Sequence, residues 1–187
     1  PVAGAAVFLP TTCRFKNLKD SKKLSPKKRE EWFKYARQNR QIFYAVSLVS
    51  PRVIDKVNIT EAANLAATRA FLKLATKYPI PVTRIYLDGG LFLKTDPFVA
   101  GYSSATKIQT LVRGDERINA VKLASIVAKV KRDRLVVRYH KKYPKYGFKN
   151  HKGYGTKNHF SAIEKYGVSK IHRLTFLIKF FKQAQKS

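Results

Sequence analysis

Two aspartates and one basic, aromatic loop are the parts of this chain whose residue types and surroundings could do chemistry. Asp88 follows an apolar, strand-like run over 82–87 and precedes Gly89 and Gly90, which let the backbone turn sharply. In an open α/β sheet, ligands collect beyond the carboxyl ends of the strands, so an acid there can face a cation or a substrate. An Asp in front of two glycines can equally serve to cap the turn. Asp133 shares one helical stripe with Ile126, Val130 and Val137, an otherwise apolar face that leans inward. A carboxylate so placed needs an opposite charge: a metal ion, or a salt bridge from Lys129, Arg132 or Arg134.

Two carboxylates from separate elements, in a chain with few acids, make a candidate site for Mg²⁺ or Mn²⁺, which prefer hard oxygen ligands. A pair of such ions can activate a water and stabilise the leaving oxygen of a phosphodiester. The third feature is the stretch Tyr143-Pro-Lys-Tyr-Gly-Phe-Lys-Asn-His-Lys-Gly-Tyr-Gly-Thr156. Its aromatic faces can stack on sugars or bases while Lys side chains and open amides hold phosphates. The same aromatics can instead anchor the loop to the core. The histidines, at 140, 151, 159 and 172, show no metal-ligand spacing, and His140 reads as a helix-end residue.

The elements that must position these groups alternate. Strands are expected over 2–9, 42–49, 82–87 and 109–112. Ser25 with Pro26 starts one helix, Thr60 caps a second running to about 76, and the longest helix covers 119–139. A last helix is expected near 161–166. This order predicts a single α/β domain over 1–187, with a basic aromatic loop at 143–160 and a tail at 176–187.

Composition narrows the partner. Thirty-nine Lys and Arg against eleven Asp and Glu give the 187 residues a formal charge of +28, so a polyanion, nucleic acid first, is the expected partner. Cys13 is the sole cysteine, which excludes an intrachain disulfide and a cysteine-rich zinc site and fits a reducing cytoplasm. No apolar run approaches the roughly 18–20 residues that span a bilayer. The chain starts at Pro1 and contains no methionine, so further residues are expected upstream.

Taken in order, these segments resemble ribonuclease HII. Asp20-Ser-Lys-Lys-Leu24 resembles that family's DSKxL segment, and Asn58-Ile-Thr-Glu-Ala62, Leu87-Asp-Gly89 and Ala124-Ser-Ile-Val-Ala-Lys-Val-Lys-Arg-Asp-Arg134 continue the likeness. Lys142-Tyr-Pro-Lys-Tyr-Gly-Phe148, His151-Lys-Gly-Tyr-Gly-Thr156 and Ile171-His-Arg-Leu-Thr-Phe176 complete it over nearly the whole chain. The resemblance implies a ribonuclease H-like fold, a mixed sheet flanked by helices. It implies two-metal hydrolysis, with Mg²⁺ or Mn²⁺, of RNA in RNA–DNA hybrids and beside single ribonucleotides in duplex DNA. A monomer is expected. By the same likeness Asp88 and Asp133 match the third and fourth metal-binding acids, and Tyr154 matches a tyrosine that packs on the sugar at the RNA–DNA junction. Lys22, Lys129, Arg132, Lys152 and Gly153 are the further expected nucleic-acid contacts.

One departure matters. The family's first two acids lie in a GxDEAGRG segment on the first strand, just before a stretch like 1–10, and that segment is not among these 187 residues. Without that strand, unpaired backbone and a gap in the core are expected. Two functional expectations follow: an active enzyme whose acid pair lies upstream, or a non-catalytic relative that binds RNA or hybrids without the metals.

Overall fold

The structure, a computed structural model, describes residues 1–95 and 106–178. In chain order these form β1 (Val2–Phe8), α1 (Pro26–Gln38), β2 (Phe43–Val49), α2 (Pro51–Lys77), β3 (Arg84–Asp88), β4 (Lys107–Leu111), α3 (Gly114–Arg117), α4 (Asn119–Lys142), α5 (Phe148–His151) and α6 (Lys157–Tyr166). Short 3-10 turns cover Ser21–Lys23 and Pro144–Tyr146.

β1 pairs antiparallel with β2, from Val2 opposite Val49 to Phe8 opposite Phe43. Successive side chains of a strand leave on opposite faces. On one face Val2 meets Val49 together with Ile54, Ala62 and Ala66 of α2. On the other, Ala5 and Val7 meet Leu123, Ile126, Val127 and Val130 of α4, with Phe33 and Ala36 of α1 completing that core. The helices therefore sandwich the strand pair. Gly4 sets how closely: a Cβ there would stand 2.5 Å from the Ala66 carbonyl carbon, so the α2 backbone rests directly on β1.

β3 and β4 form a separate parallel pair, from Arg84 beside Lys107 to Asp88 beside Leu111. The mixed α/β class flanked by helices is thus as expected. β1 and β3 do not pair with one another. A cavity of about 1190 Å³ separates them, walled by both strands, by Ala63 and Ala67 of α2, and by Ala124 and Ala128 of α4. Small residues of both helices, Ala63, Ala67, Ala124 and Ala128, line this slot. At the far edge of the first pair, Arg69, Lys73, Lys131, Arg134 and Arg138 ring β2 residues Val46–Leu48, and such charges discourage edge-to-edge pairing of strands.

Helix starts follow the local chemistry with one correction. The Ser25 hydroxyl accepts the Lys28 N–H at 3.3 Å and Pro26 occupies the first helical position, as expected. The second helix does not begin at Thr60. Ser50 and Pro51 repeat the same start signal, with Ser50 Oγ accepting the Val53 N–H at 3.4 Å. The helix then breaks at Asn58, whose φ of 68° interrupts it and whose Oδ1 caps the second half through the Glu61 N–H, 3.0 Å away. Boundaries shift elsewhere: β4 begins at Lys107, and α6 starts at Lys157 because Thr156 caps it through the His159 N–H. Of the expected tail, 179–187 lies outside the described residues, whereas Leu177 is buried with Val136, Tyr146, Phe148 and Ile163. Among the described residues no helix is long and apolar enough to cross a membrane.

Candidate functional site

Asp88 is the last residue of β3, and Gly89 turns the chain away from it with a φ of +54°, a conformation that favours glycine. The loop beyond is tied down by buried Asn64 and Thr68 of α2, whose side-chain oxygens accept the N–H groups of Phe92 and Lys94 at 3.1 and 2.9 Å. Asp88 Oδ1 itself accepts the N–H of Asp115, 3.2 Å away. Asp115 is buried at the start of α3, and its Oδ2 receives Lys22 Nζ at 3.1 Å. That hydrogen bond, then the charges of Asp115, Asp20 and Asp88, raise the pKa of Lys22 above its ordinary value.

The segment carrying Lys22 is built locally. Asp20 Oδ1 accepts the Lys22 N–H at 3.0 Å, and Arg29 Nη1 donates to the carbonyls of Ser21 and Leu24. Ser21 Oγ lies 2.8 Å from Ser125 Oγ, which fastens the segment to α4.

Asp133 stands on α4 in a second cluster. Arg132 Nη1 donates to its Oδ1 at 3.1 Å and Lys129 Nζ lies 3.9 Å from its Oδ2. Arg134, a third candidate partner by sequence, turns instead to Glu30. Burial first, and the charges of Arg132 and Arg29 after it, lower the pKa of Lys129 against the opposing pull of Asp133. Tyr154 lies over both cations: Lys129 Nζ is 4.3 Å and the Arg132 guanidinium 4.6 Å from its ring centre, and Lys129 also donates to its hydroxyl. Tyr154 nevertheless remains 46% exposed.

The aromatic loop combines the two roles open to it by sequence. Tyr146 and Phe148 anchor it in the core, while Tyr154 stays outside. Lys152 and Gly153 take consecutive left-handed conformations, at φ 50° and 73°, and bring the Lys152 carbonyl within 2.6 Å of Arg132 Nη1. Lys152 Nζ folds back onto the carbonyls of Lys149 and Asn150.

Six of the expected residues, Lys129, Arg132, Asp133, Lys152, Gly153 and Tyr154, thus form one cluster, and Asp88 with Lys22 forms another. Both open on the slot between β1 and β3, whose lining includes Lys22, Asp88, Lys129 and Arg132. Asp115 carries no motif of its own in the sequence, yet it joins the Asp88 cluster. Its place between Asp88 and Lys22 arises from a contact 27 residues away along the chain, which no local pattern signals. As a metal shell the described residues are incomplete: hard carboxylate oxygens are present, yet no group of three His, Cys, Asp or Glu among them could hold an ion. Asp88 is oriented by an amide, and Asp133 would have to exchange Lys129 and Arg132 for a cation.

Known proteins share this chain's sequence pattern and fold. The family model described as Ribonuclease HII matches residues 1–179. Ribonuclease HII of Endomicrobium trichonymphae is 43% identical over 176 residues, 94% of this chain and 78% of the relative. That of Alkaliphilus metalliredigens is 40% identical over 183 residues, covering 97% and 84%. Among solved structures, ribonuclease H2 from Pyrococcus horikoshii superposes with a TM-score of 0.59 at 27% identity, over 85% of this chain and 76% of the other. The ribonuclease HII solved in complex with PCNA from Archaeoglobus fulgidus shares the fold, with a TM-score of 0.60 at 21% identity over 84% and 77%. The chain therefore belongs to the ribonuclease HII family, divalent-metal-dependent endoribonucleases that act on RNA–DNA hybrids.

Proposed function

We propose that this chain hydrolyses the RNA strand of RNA–DNA hybrids, single ribonucleotides in duplex DNA included, with Asp88 and Asp133 among the carboxylates that hold two Mg²⁺ or Mn²⁺ ions. The supporting observation is that Asp88 and the Lys129–Arg132 pair around Asp133 open on one cavity. Two bound cations supply an activated water and compensate charge on the leaving oxygen.

The chain's own residues do the rest. Asp115 orients Asp88 through its amide and holds Lys22 through its carboxylate. Lys22, Lys129 and Arg132 bring positive charge to the rim, where backbone phosphates can replace their present partners. Lys152 leaves the carbonyls it now covers to reach a phosphate, and Gly153 supplies the left-handed backbone, φ 73°, that follows the Lys152 carbonyl held by Arg132. Tyr154 offers its open face to a sugar. The chain acts as one monomeric domain in the cytoplasm, in keeping with its single cysteine.

The test is Asp88→Asn and Asp133→Asn in the native protein, assayed with Mg²⁺ or Mn²⁺ on a continuous hybrid and on duplex DNA carrying one ribonucleotide. Cleavage should be lost and hybrid binding kept. Metal-dependent turnover surviving in either variant removes that residue from the site.

A further inference from the structure

Three histidines behind the aromatic loop have no part in the chemistry above. His151, His159 and His172 are all buried, and the first two rings stack with centres 4.4 Å apart. Their backbone partners fix where each proton sits. The Ser169 N–H donates to His172 Nδ1 at 2.8 Å, so that nitrogen is an acceptor and the proton of neutral His172 lies on Nε2. His159 Nδ1 lies 2.9 Å from the Tyr154 carbonyl, which can only accept, so His159 is protonated there and bare on Nε2. The two Nε2 atoms are 3.2 Å apart, and His172 donates to His159. His151 follows the same logic: Nδ1 accepts the Gly153 N–H at 3.1 Å and Nε2 donates to the Tyr146 carbonyl at 2.7 Å.

The result is a directed relay from Ser169 through His172 and His159 to the peptide of Tyr154. The preceding peptide is held too, because the Tyr154 N–H donates to the His151 carbonyl at 2.9 Å. An added proton on either member of the central pair would set two N–H groups head to head. The relay works only uncharged.

We propose that His151, His159 and His172 are positioning residues, a neutral hydrogen-bond relay that pins the Tyr154 backbone so that its ring is presented at a fixed angle over Lys129 and Arg132. The part of this that concerns substrate rests on the reading of Tyr154 as the sugar contact.

Long-range proton–nitrogen spectra of the ¹⁵N-labelled native protein read the tautomers directly. His151 and His172 protonated on Nε2, with His159 protonated on Nδ1, is the expected result; His159 protonated on Nε2 overturns the relay. Two variants then separate the hydrogen bond from the packing. His172→Phe keeps a ring and removes the donor, whereas His172→Gln can still donate from a comparable position. Relative to the continuous hybrid, cleavage at a single ribonucleotide should fall about tenfold in His172→Phe, the equivalent of one hydrogen bond. His172→Gln should recover most of it, and the Tyr154 ring resonances should shift in the first variant alone. Equal behaviour of the two variants overturns the proposal. If the ring resonances move as expected while Tyr154→Ala cleaves normally, the relay stands and the sugar contact fails.

Discussion

The Arg132 guanidinium lies 4.6 Å from the centre of the Tyr154 ring, and the same group donates to Asp133 and to the Lys152 carbonyl. One side chain thus joins the α4 acid to the aromatic loop, and its planar fork suits all three contacts at once.

Replacing Arg132 with Met keeps much of the aliphatic stem and removes the fork. Hybrid affinity should weaken by about 1–2 kcal/mol, from the lost cation–π and charge-assisted contacts. If Arg132 also meets a phosphate, the plot of log affinity against log salt should become shallower by about one unit. A slope unchanged from the native protein would place Arg132 away from the backbone.

Asp115→Asn should return Lys22 toward its ordinary pKa, since the hydrogen bond it donates to Asp115 is the largest cause of the rise. For a raised lysine, the stabilising contribution is present below the unfolded pKa of 10.5 and fades as pH climbs through the higher folded value. Lys22 titration followed by NMR reads this directly. The variant should unfold at nearly the native temperature at pH 7, because the lysine side chain is 79% exposed and its ion pair is weak. A Lys22 pKa equal in both proteins would show that the pair does not form.

Gly4→Ala tests the close approach of α2 to β1. A methyl group 2.5 Å from a backbone carbon cannot be housed by turning a side chain, so strand and helix must part. The expected cost is about 1–3 kcal/mol, seen as a lower denaturation midpoint with an unchanged slope.

Acid should loosen the aromatic loop. Burial, then the charge of neighbouring histidines, holds the pKa of His159 and His172 down from 6.5 to about 4. Tyr146, Phe148 and Phe160 supply aromatic surroundings, and His151 is the further ionisable ring beside the pair. A depressed histidine binds fewer protons folded than unfolded, so stability is fully present above 6.5 and is lost as pH falls toward 4. Hydrogen exchange around Tyr154 should quicken across that window. Unchanged protection from pH 7 to pH 4 would contradict it.

Much of the site was legible because its signals are local. An acid ending an apolar run before two glycines marks Asp88, helical spacing marks Asp133, and the Ser25–Pro26 pair marks a helix start. Thr60 misled for an equally local reason: Asn58 caps the same turn from a left-handed conformation, and either residue type can begin a helix. Asp115 and the histidines were illegible because their roles need partners far away in sequence. His159 and His172 sit 13 residues apart with no ligand-like spacing, yet share one hydrogen bond.

The order of amino acids is enough for the alternation of elements, the basic character, the two acids on separate elements and the family. Those follow from side-chain periodicity, charge and ordered motifs, which are properties of the chain alone. Packing in three dimensions added that two acid-bearing clusters face one slot, that Asp115 aligns Asp88 with Lys22, and which groups His151, His159 and His172 meet. Each depends on atoms brought within hydrogen-bond reach by packing, and hydrogen bonds act over distances that sequence separation does not encode.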